Sequence, residues 1–239
     1  MRGNERKIAL FLHLAAYMTV SWEADRNRLY DQLASAMGQS PVLEAMRSVP
    51  RELFVPTQLR HLAYRNTALA IGHGQTISQP AMVVRMTLAL SLRGDERVLE
   101  VGAGSGYQAA ILGELLPFGH VIAVERIPEL VQTARRNLAA CRISNVDVQC
   151  ATDVLGAPDA GPYDSILVSA AAPTVPHALI AQLKPLGRLV IPVGSLGRQV
   201  LTLVRVLDNR PVIRQLTQCQ FVPLVGPEAW PSGGNPPAA

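Results

Sequence analysis

Between Arg97 and Pro192 the chain repeats one unit, a short apolar run followed by a longer amphipathic one, and this repetition restricts the fold more than any other feature of its 239 residues. Strands are expected at Arg97 to Val101, Val121 to Glu125, Val146 to Cys150, Ser165 to Ser169 and Arg188 to Pro192. Helices are expected at Tyr107 to Leu115, Pro128 to Ala139 and Pro176 to Leu183. Near-continuous apolar strands such as Ile166-Leu167-Val168 require a sheet covered on both faces. The fold class is therefore α/β, a doubly wound, mostly parallel sheet with helices on both faces. Gln199 to Val206 and Val212 to Phe221 read as two further strands, close enough in sequence to be antiparallel neighbours. Upstream, Arg26 to Met37, Pro41 to Ser48 and Gln79 to Leu90 read as helices, the second with Ser40 as N-cap and Pro41 at its first position. Arg51 to Gln75 reads as irregular, punctuated by Pro50, Pro56, Gly72 and Gly74.

The length suits one domain over residues 26–226, preceded by an extension over 1–25 and followed by a tail over 227–239. Pro231, Gly233, Gly234, Pro236 and Pro237 predict that the tail is disordered. Hydrophobic residues at 49% and charged residues at 17% exclude a disordered or collagen-like chain. Lys and Arg number 22 against 18 Asp and Glu, but the charge is scattered, so no nucleic-acid-binding stripe is expected. Cys141, Cys150 and Cys219 are odd in number and lack C-x-x-C spacing. They argue against a disulfide framework or a metal site and fit a reducing cytoplasm. Ile8 to Val20 is an apolar run behind Arg2, Arg6 and Lys7, too short to span a bilayer and without a small-x-small cleavage site beyond it. It is expected to form a helical extension packed on the domain, with no membrane partner.

Glu100-Val101-Gly102-Ala103-Gly104-Ser105-Gly106 ends the first strand of the repeat and opens a helix. Glycines there let a ligand approach the backbone, while the helix N-terminus offers free N–H groups. A dinucleotide fingerprint wants glycine at the first, third and sixth positions. The sixth here is Tyr107, and glycine takes the fifth, which argues against NAD. The next strand ends in Glu125, about 20 residues on, where a carboxylate can accept from both ribose hydroxyls of an adenosyl group. A turn that merely tightens the strand-helix joint, with Glu125 on the surface, fits the same residues.

Longer strings are more specific. Gly72-His73-Gly74-Gln75-Thr76-Ile77-Ser78-Gln79-Pro80, Val98 to Ala110, Pro162-Tyr163-Asp164 with Ala170-Ala171-Ala172-Pro173, and Gln182-Leu183-Lys184-Pro185 with Gly187 to Gly194 resemble the protein-L-isoaspartate O-methyltransferase family. Pro50 to Pro56 and Phe221-Val222-Pro223-Leu224 match it as well, so the resemblance runs from about residue 30 to 226. It implies a class I methyltransferase fold, S-adenosyl-L-methionine as methyl donor, and isoaspartyl residues of damaged proteins or peptides as acceptors. The methyl ester so formed would collapse to a succinimide that reopens partly to normal aspartate. By the same resemblance Ser78 takes the catalytic position. Gln75, Thr76, Ile77 and Ser78 would line the pocket, and Glu100, Gly102, Gly104, Ser105 and Glu125 would hold the cofactor. On the residues alone, Ser78 reads equally as the N-cap of the helix that begins at Pro80.

Two departures from the family pattern stand out. Gly-Asp-Gly after the third strand, whose Asp bonds the adenine amino group, is replaced here by Ala151-Thr152-Asp153. Either Thr152 accepts through its hydroxyl, or the loop shifts so that Asp153 does, and the shifted register is the expectation because only a carboxylate restores the charge. Upstream, Asn66 stands for the usual Asp and Ala70 for a Pro, on the segment expected to border the acceptor. Two other readings follow: a relative that methylates ordinary Asp or Glu on a dedicated peptide, motivated by Asn66, and a cofactor-binding scaffold without repair activity, motivated by the altered loop.

Overall fold

The computed structural model describes residues 22–208 and 210–231. The apolar segment 8–20 and the end of the tail lie outside them. Helix α1 covers 22–37, so the boundary drawn after residue 25 falls within a helix. Helix α2 follows at Pro41–Ser48, where the Ser40 hydroxyl accepts from the Leu43 N–H as an N-cap does. The stretch read as irregular holds two 3-10 turns, Arg51–Phe54 and Thr57–Leu62, and a small hairpin of strands β1 (Leu69–Gly72) and β2 (Gln75–Ile77). Its tip is His73-Gly74, with both residues at positive φ. Helix α3 is Pro80–Leu90.

The repeating unit then lays down β3 (Arg97–Val101), α4 (Tyr107–Leu115), β4 (His120–Glu125), α5 (Pro128–Ala140), β5 (Val146–Cys150), β6 (Tyr163–Val168), α6 (His177–Ile180), β7 (Leu183–Ser195), β8 (Arg198–Leu207) and β9 (Arg210–Cys219). The sheet order is β5-β4-β3-β6-β7-β8-β9, parallel from β5 to β7 and antiparallel for the last two strands. Alternate residues serve opposite layers. Val98, Val121, Leu167 and Val190 pack with Met82, Met86 and Leu90 of α3, while Leu99, Ile122, Ile166 and Leu189 pack with Tyr163, Leu179 and Leu183 on the other face.

Two expectations change. The helix expected over Pro176 to Leu183 is a single turn, because β7 already begins at Leu183 and reaches its regular pairing with β6 only past a bulge, where Leu186 sits at φ 65°. The tail is ordered further than its proline content suggests: Val225 bridges Trp230, and the Trp230 N–H donates to the Leu224 carbonyl at 2.9 Å.

The chain leaves β3 for β4 and β5 on one side, then crosses back to β6 on the other. At such a switch point the loops diverge and leave a crevice beyond the carboxyl ends of the strands.

Candidate active site

That crevice is lined by the ends of β3, β4, β5 and β6, by Gln75 to Ser78 of the hairpin, and by Val222 to Pro227. At the end of β3 the backbone turns through Gly102 at φ 90°, Gly104 at φ 55° and Gly106 at φ 90°. A Cβ on Gly106 would stand 3.1 Å from the Cα of Ala134, so glycine is what lets the start of α4 sit against α5. Gly106 is also the N-cap of α4 and has no side chain to offer, leaving the first-turn N–H groups uncapped from within the loop. α5 steadies the loop through Asn137, whose Nδ2 donates to the Ser105 carbonyl at 2.9 Å.

Glu125 closes the β4 side. One carboxylate oxygen accepts from the Gly104 N–H and the other from the Ile127 N–H, both at 2.9 Å. It is 7% exposed and lines the crevice, so the reading of a surface glutamate is excluded. Glu100 lies at the floor, fully buried. Its Oε1 accepts from the Ser169 hydroxyl at 3.3 Å, while Oε2 has no partner among the described residues. Burial pushes its carboxyl up from an ordinary 4.5 to about 8. The Ser169 hydrogen bond pulls the other way, and the negative charge of Glu125 adds to the rise.

Gln75, Thr76, Ile77, Ser78, Glu100, Gly102, Gly104, Ser105, Glu125 and Thr152 all line this one crevice. Asp153, expected from a shifted register, is not among its lining residues, whereas Thr152 is. Thr152 faces the space, with its hydroxyl in a weak turn to Val154 at 3.3 to 3.4 Å. The cap reading of Ser78 also fails: the N-cap of α3 is Gln79, and no side chain of that residue serves it. The serving group is Asn66, whose Oδ1 accepts from the Ala81 N–H at 3.0 Å while its carbonyl accepts from Gln79 Nε2 at 3.0 Å. Asn66 thus does a helix-capping job and does not line the crevice. Arg85 is exposed on α3, and His73 stands exposed at the hairpin tip.

Some contributors carried no signal strong enough to assign from sequence. Ser169 and the run Val222 to Pro227 complete the walls. The latter is strapped to the sheet by the Ala171 N–H donating to the Val222 carbonyl and the Leu224 N–H donating to the Ala171 carbonyl, each at 2.8 Å. Gln182, 7% exposed, holds the Thr152 loop: its Nε2 donates to the Leu155 carbonyl at 2.8 Å and its Oε1 accepts from the Ala157 N–H at 3.0 Å. Gln182 and Val222 to Leu224 belong to strings quoted above for their resemblance, but their partners are distant in sequence. Among the described residues no group of three or more His, Cys, Asp or Glu side chains is placed to hold a metal, and no helix is long and apolar enough to cross a membrane.

The family model described as protein-L-isoaspartate(D-aspartate) O-methyltransferase matches residues 24–229. Curated relatives include the protein-L-isoaspartate O-methyltransferase of Hyperthermus butylicus, 48% identical over 86% of this chain and 90% of the relative. Another is that of Methanothrix thermoacetophila, 48% identical over 84% of this chain and 95% of the relative. Among solved structures, a putative protein-L-isoaspartate O-methyltransferase from Plasmodium falciparum, determined in complex with S-adenosyl-L-homocysteine, superposes with a TM-score of 0.71 at 25% identity, covering 82% of this chain and 96% of that one.

Proposed function

Because the chain belongs to the protein-L-isoaspartate(D-aspartate) O-methyltransferase family, we propose that its crevice transfers a methyl group to the free carboxylate of L-isoaspartyl residues in damaged proteins and peptides. The residues present suit the donor of that family, S-adenosyl-L-methionine. The glycine turn lines the crevice, the Glu125 carboxylate is bonded to it, and a buried oxygen of Glu100 lacks a partner among the described residues. When bound, S-adenosyl-L-methionine supplies a methyl group activated by a positively charged sulfur.

The remaining work belongs to the chain. The glycine turn and the α4 N-terminus offer backbone N–H groups. Glu125 retains lone pairs beyond those taken by Gly104 and Ile127 and would accept from the ribose hydroxyls. Thr152, which lines the crevice, would meet the adenine edge in place of the family aspartate. The acceptor carboxylate is ionised at neutral pH, so no general base is needed, and orientation and exclusion of water carry the catalysis. Ser78 is the orienting group: its hydroxyl donates to one acceptor oxygen and turns the other toward the methyl group. Free Cys141, Cys150 and Cys219 fit a reducing, cytoplasmic setting.

The observation that carries this reading is the convergence of Ser78, Glu100, the glycine turn and Glu125 on one crevice. Asn66, which motivated an ordinary Asp or Glu acceptor, has a sufficient role as a helix cap. A pair of peptides differing only in an isoaspartyl against an aspartyl linkage tests the function. Methyl incorporation into the first alone is expected, and equal incorporation into both overturns the repair assignment. Binding of S-adenosylhomocysteine in a calorimetric titration with no methyl incorporation into either peptide would leave a cofactor-binding scaffold.

A further inference from the structure

Arg51 is wholly buried and does not itself line the crevice. Its Nε donates to the Ala63 carbonyl at 2.9 Å and its Nη2 to the Ser78 carbonyl at 2.8 Å. The guanidinium carbon lies 4.8 Å from the ring centroid of Tyr107, the first residue of α4. Burying a cation is costly unless its charge is met. Among the described residues no carboxylate pairs with Arg51. Two carbonyl oxygens and an aromatic face meet the charge instead.

What the guanidinium holds matters more than what holds it. Ser78 lies between the end of β2 at Ile77 and the start of α3 at Pro80, so its carbonyl belongs to neither a strand ladder nor a helix. Nη2 of Arg51 supplies the partner that regular structure does not. The same planar group rests on Tyr107, which follows the glycine turn and lines the crevice. One rigid fork thus ties the acceptor side of the site to the donor side from behind.

We propose that Arg51 is a positioning residue, fixing the backbone of Ser78 so that its hydroxyl meets the acceptor carboxylate. This rests on the reading of Ser78 as the orienting group. A lysine keeps the charge and most of the length, but a single ammonium on a flexible stem cannot reproduce the fork that spans Ala63 and Ser78 while stacking on Tyr107. Displacing a positioned group by about an ångström costs on the order of a hundredfold in rate.

Arg51→Lys and Arg51→Gln are made in parallel, the second because it buries no unpartnered ammonium, and each is combined with Ser78→Ala. Turnover on an isoaspartyl peptide, thermal melting and S-adenosylhomocysteine affinity are measured for all. The expected result is a fall in kcat of about 10- to 100-fold with cofactor affinity within about threefold of the parent, and little further loss from the Arg51 change once Ser78 is alanine. A residue serving only the fold would instead lower kcat by the same factor in both backgrounds, or lower the melting temperature with turnover intact, and either result overturns the proposal while leaving the methyltransferase reading in place. A parent protein inactive on the isoaspartyl peptide overturns that reading and, with it, the role given to Arg51.

Discussion

Glu125 and Gly104 are joined by a hydrogen bond of 2.9 Å from the glycine N–H to a carboxylate oxygen at the end of the neighbouring strand. The glycine turn is therefore pinned in place by the residue proposed to hold the ribose, and the Ile127 N–H fixes the other oxygen of the same carboxylate.

Removing that carboxylate takes away both a ligand contact and a clamp on the turn. Glu125→Ala is expected to weaken S-adenosylhomocysteine binding by about 1.5–3 kcal/mol, roughly 10- to 150-fold. Glu125→Gln should do nearly as much damage, since its amide nitrogen must face the N–H of either Gly104 or Ile127, donor against donor. Calorimetry on both variants checks this, and an unchanged dissociation constant for either rejects the assignment.

Thr152 faces the crevice and Asp153 does not. Thr152→Ala should cost about 0.5–1.5 kcal/mol of cofactor binding, one neutral hydrogen bond, whereas Asp153→Ala should leave it unchanged. Thr152→Asp should tighten binding, because a charged acceptor is roughly twice as strong. Finding Asp153→Ala the more damaging would show that the loop shifts on binding.

For Ser78 the absence of a capping role sharpens the expectation. Ser78→Ala should melt close to the parent, because α3 is capped by Asn66 and not by this hydroxyl. Turnover at saturating substrates should fall by about 10- to 100-fold with cofactor affinity little changed. A destabilised variant with full turnover contradicts both halves of the argument.

Glu100 gives a pH signature. Its carboxyl is raised from about 4.5 to about 8 in the fold, chiefly by burial, so between those values the folded chain holds a proton that the unfolded chain releases. The contribution is full below about 4.5 and is lost as pH rises through about 8. Glu100→Gln imitates the protonated form and should remove that loss. Urea denaturation midpoints from pH 4.5 to 9 should diverge toward high pH, with the variant the more stable. Parallel curves would mean that Glu100 does not titrate with folding.

Much of this was legible because it rests on local patterns. The strand-helix alternation from Arg97 onward follows from apolar periodicity, and β3 and β5 begin and end where expected. The glycine turn and Glu125 announce themselves by spacing along one βαβ unit. The features that escaped depend on distance in sequence. Arginine is ordinarily exposed, so nothing local marks Arg51 for the interior, and its partners are 12 and 27 residues away. The turn at α6 looked like a longer helix because Leu179 to Leu183 is apolar enough for either state, and pairing with β6 decided it. Asp153 was favoured for its charge, but the course of its loop depends on the hold of Gln182 on Leu155 and Ala157, which composition does not reveal.

The strap from Val222 to Pro227 has a consequence for how such a chain becomes competent. The walls it completes are otherwise built from residues 75 to 170, whereas it arrives only after both antiparallel strands have been made and docked. On a ribosome, the first five parallel strands can assemble while the crevice still lacks one side, and the nascent enzyme stays open to solvent until its closing segment emerges.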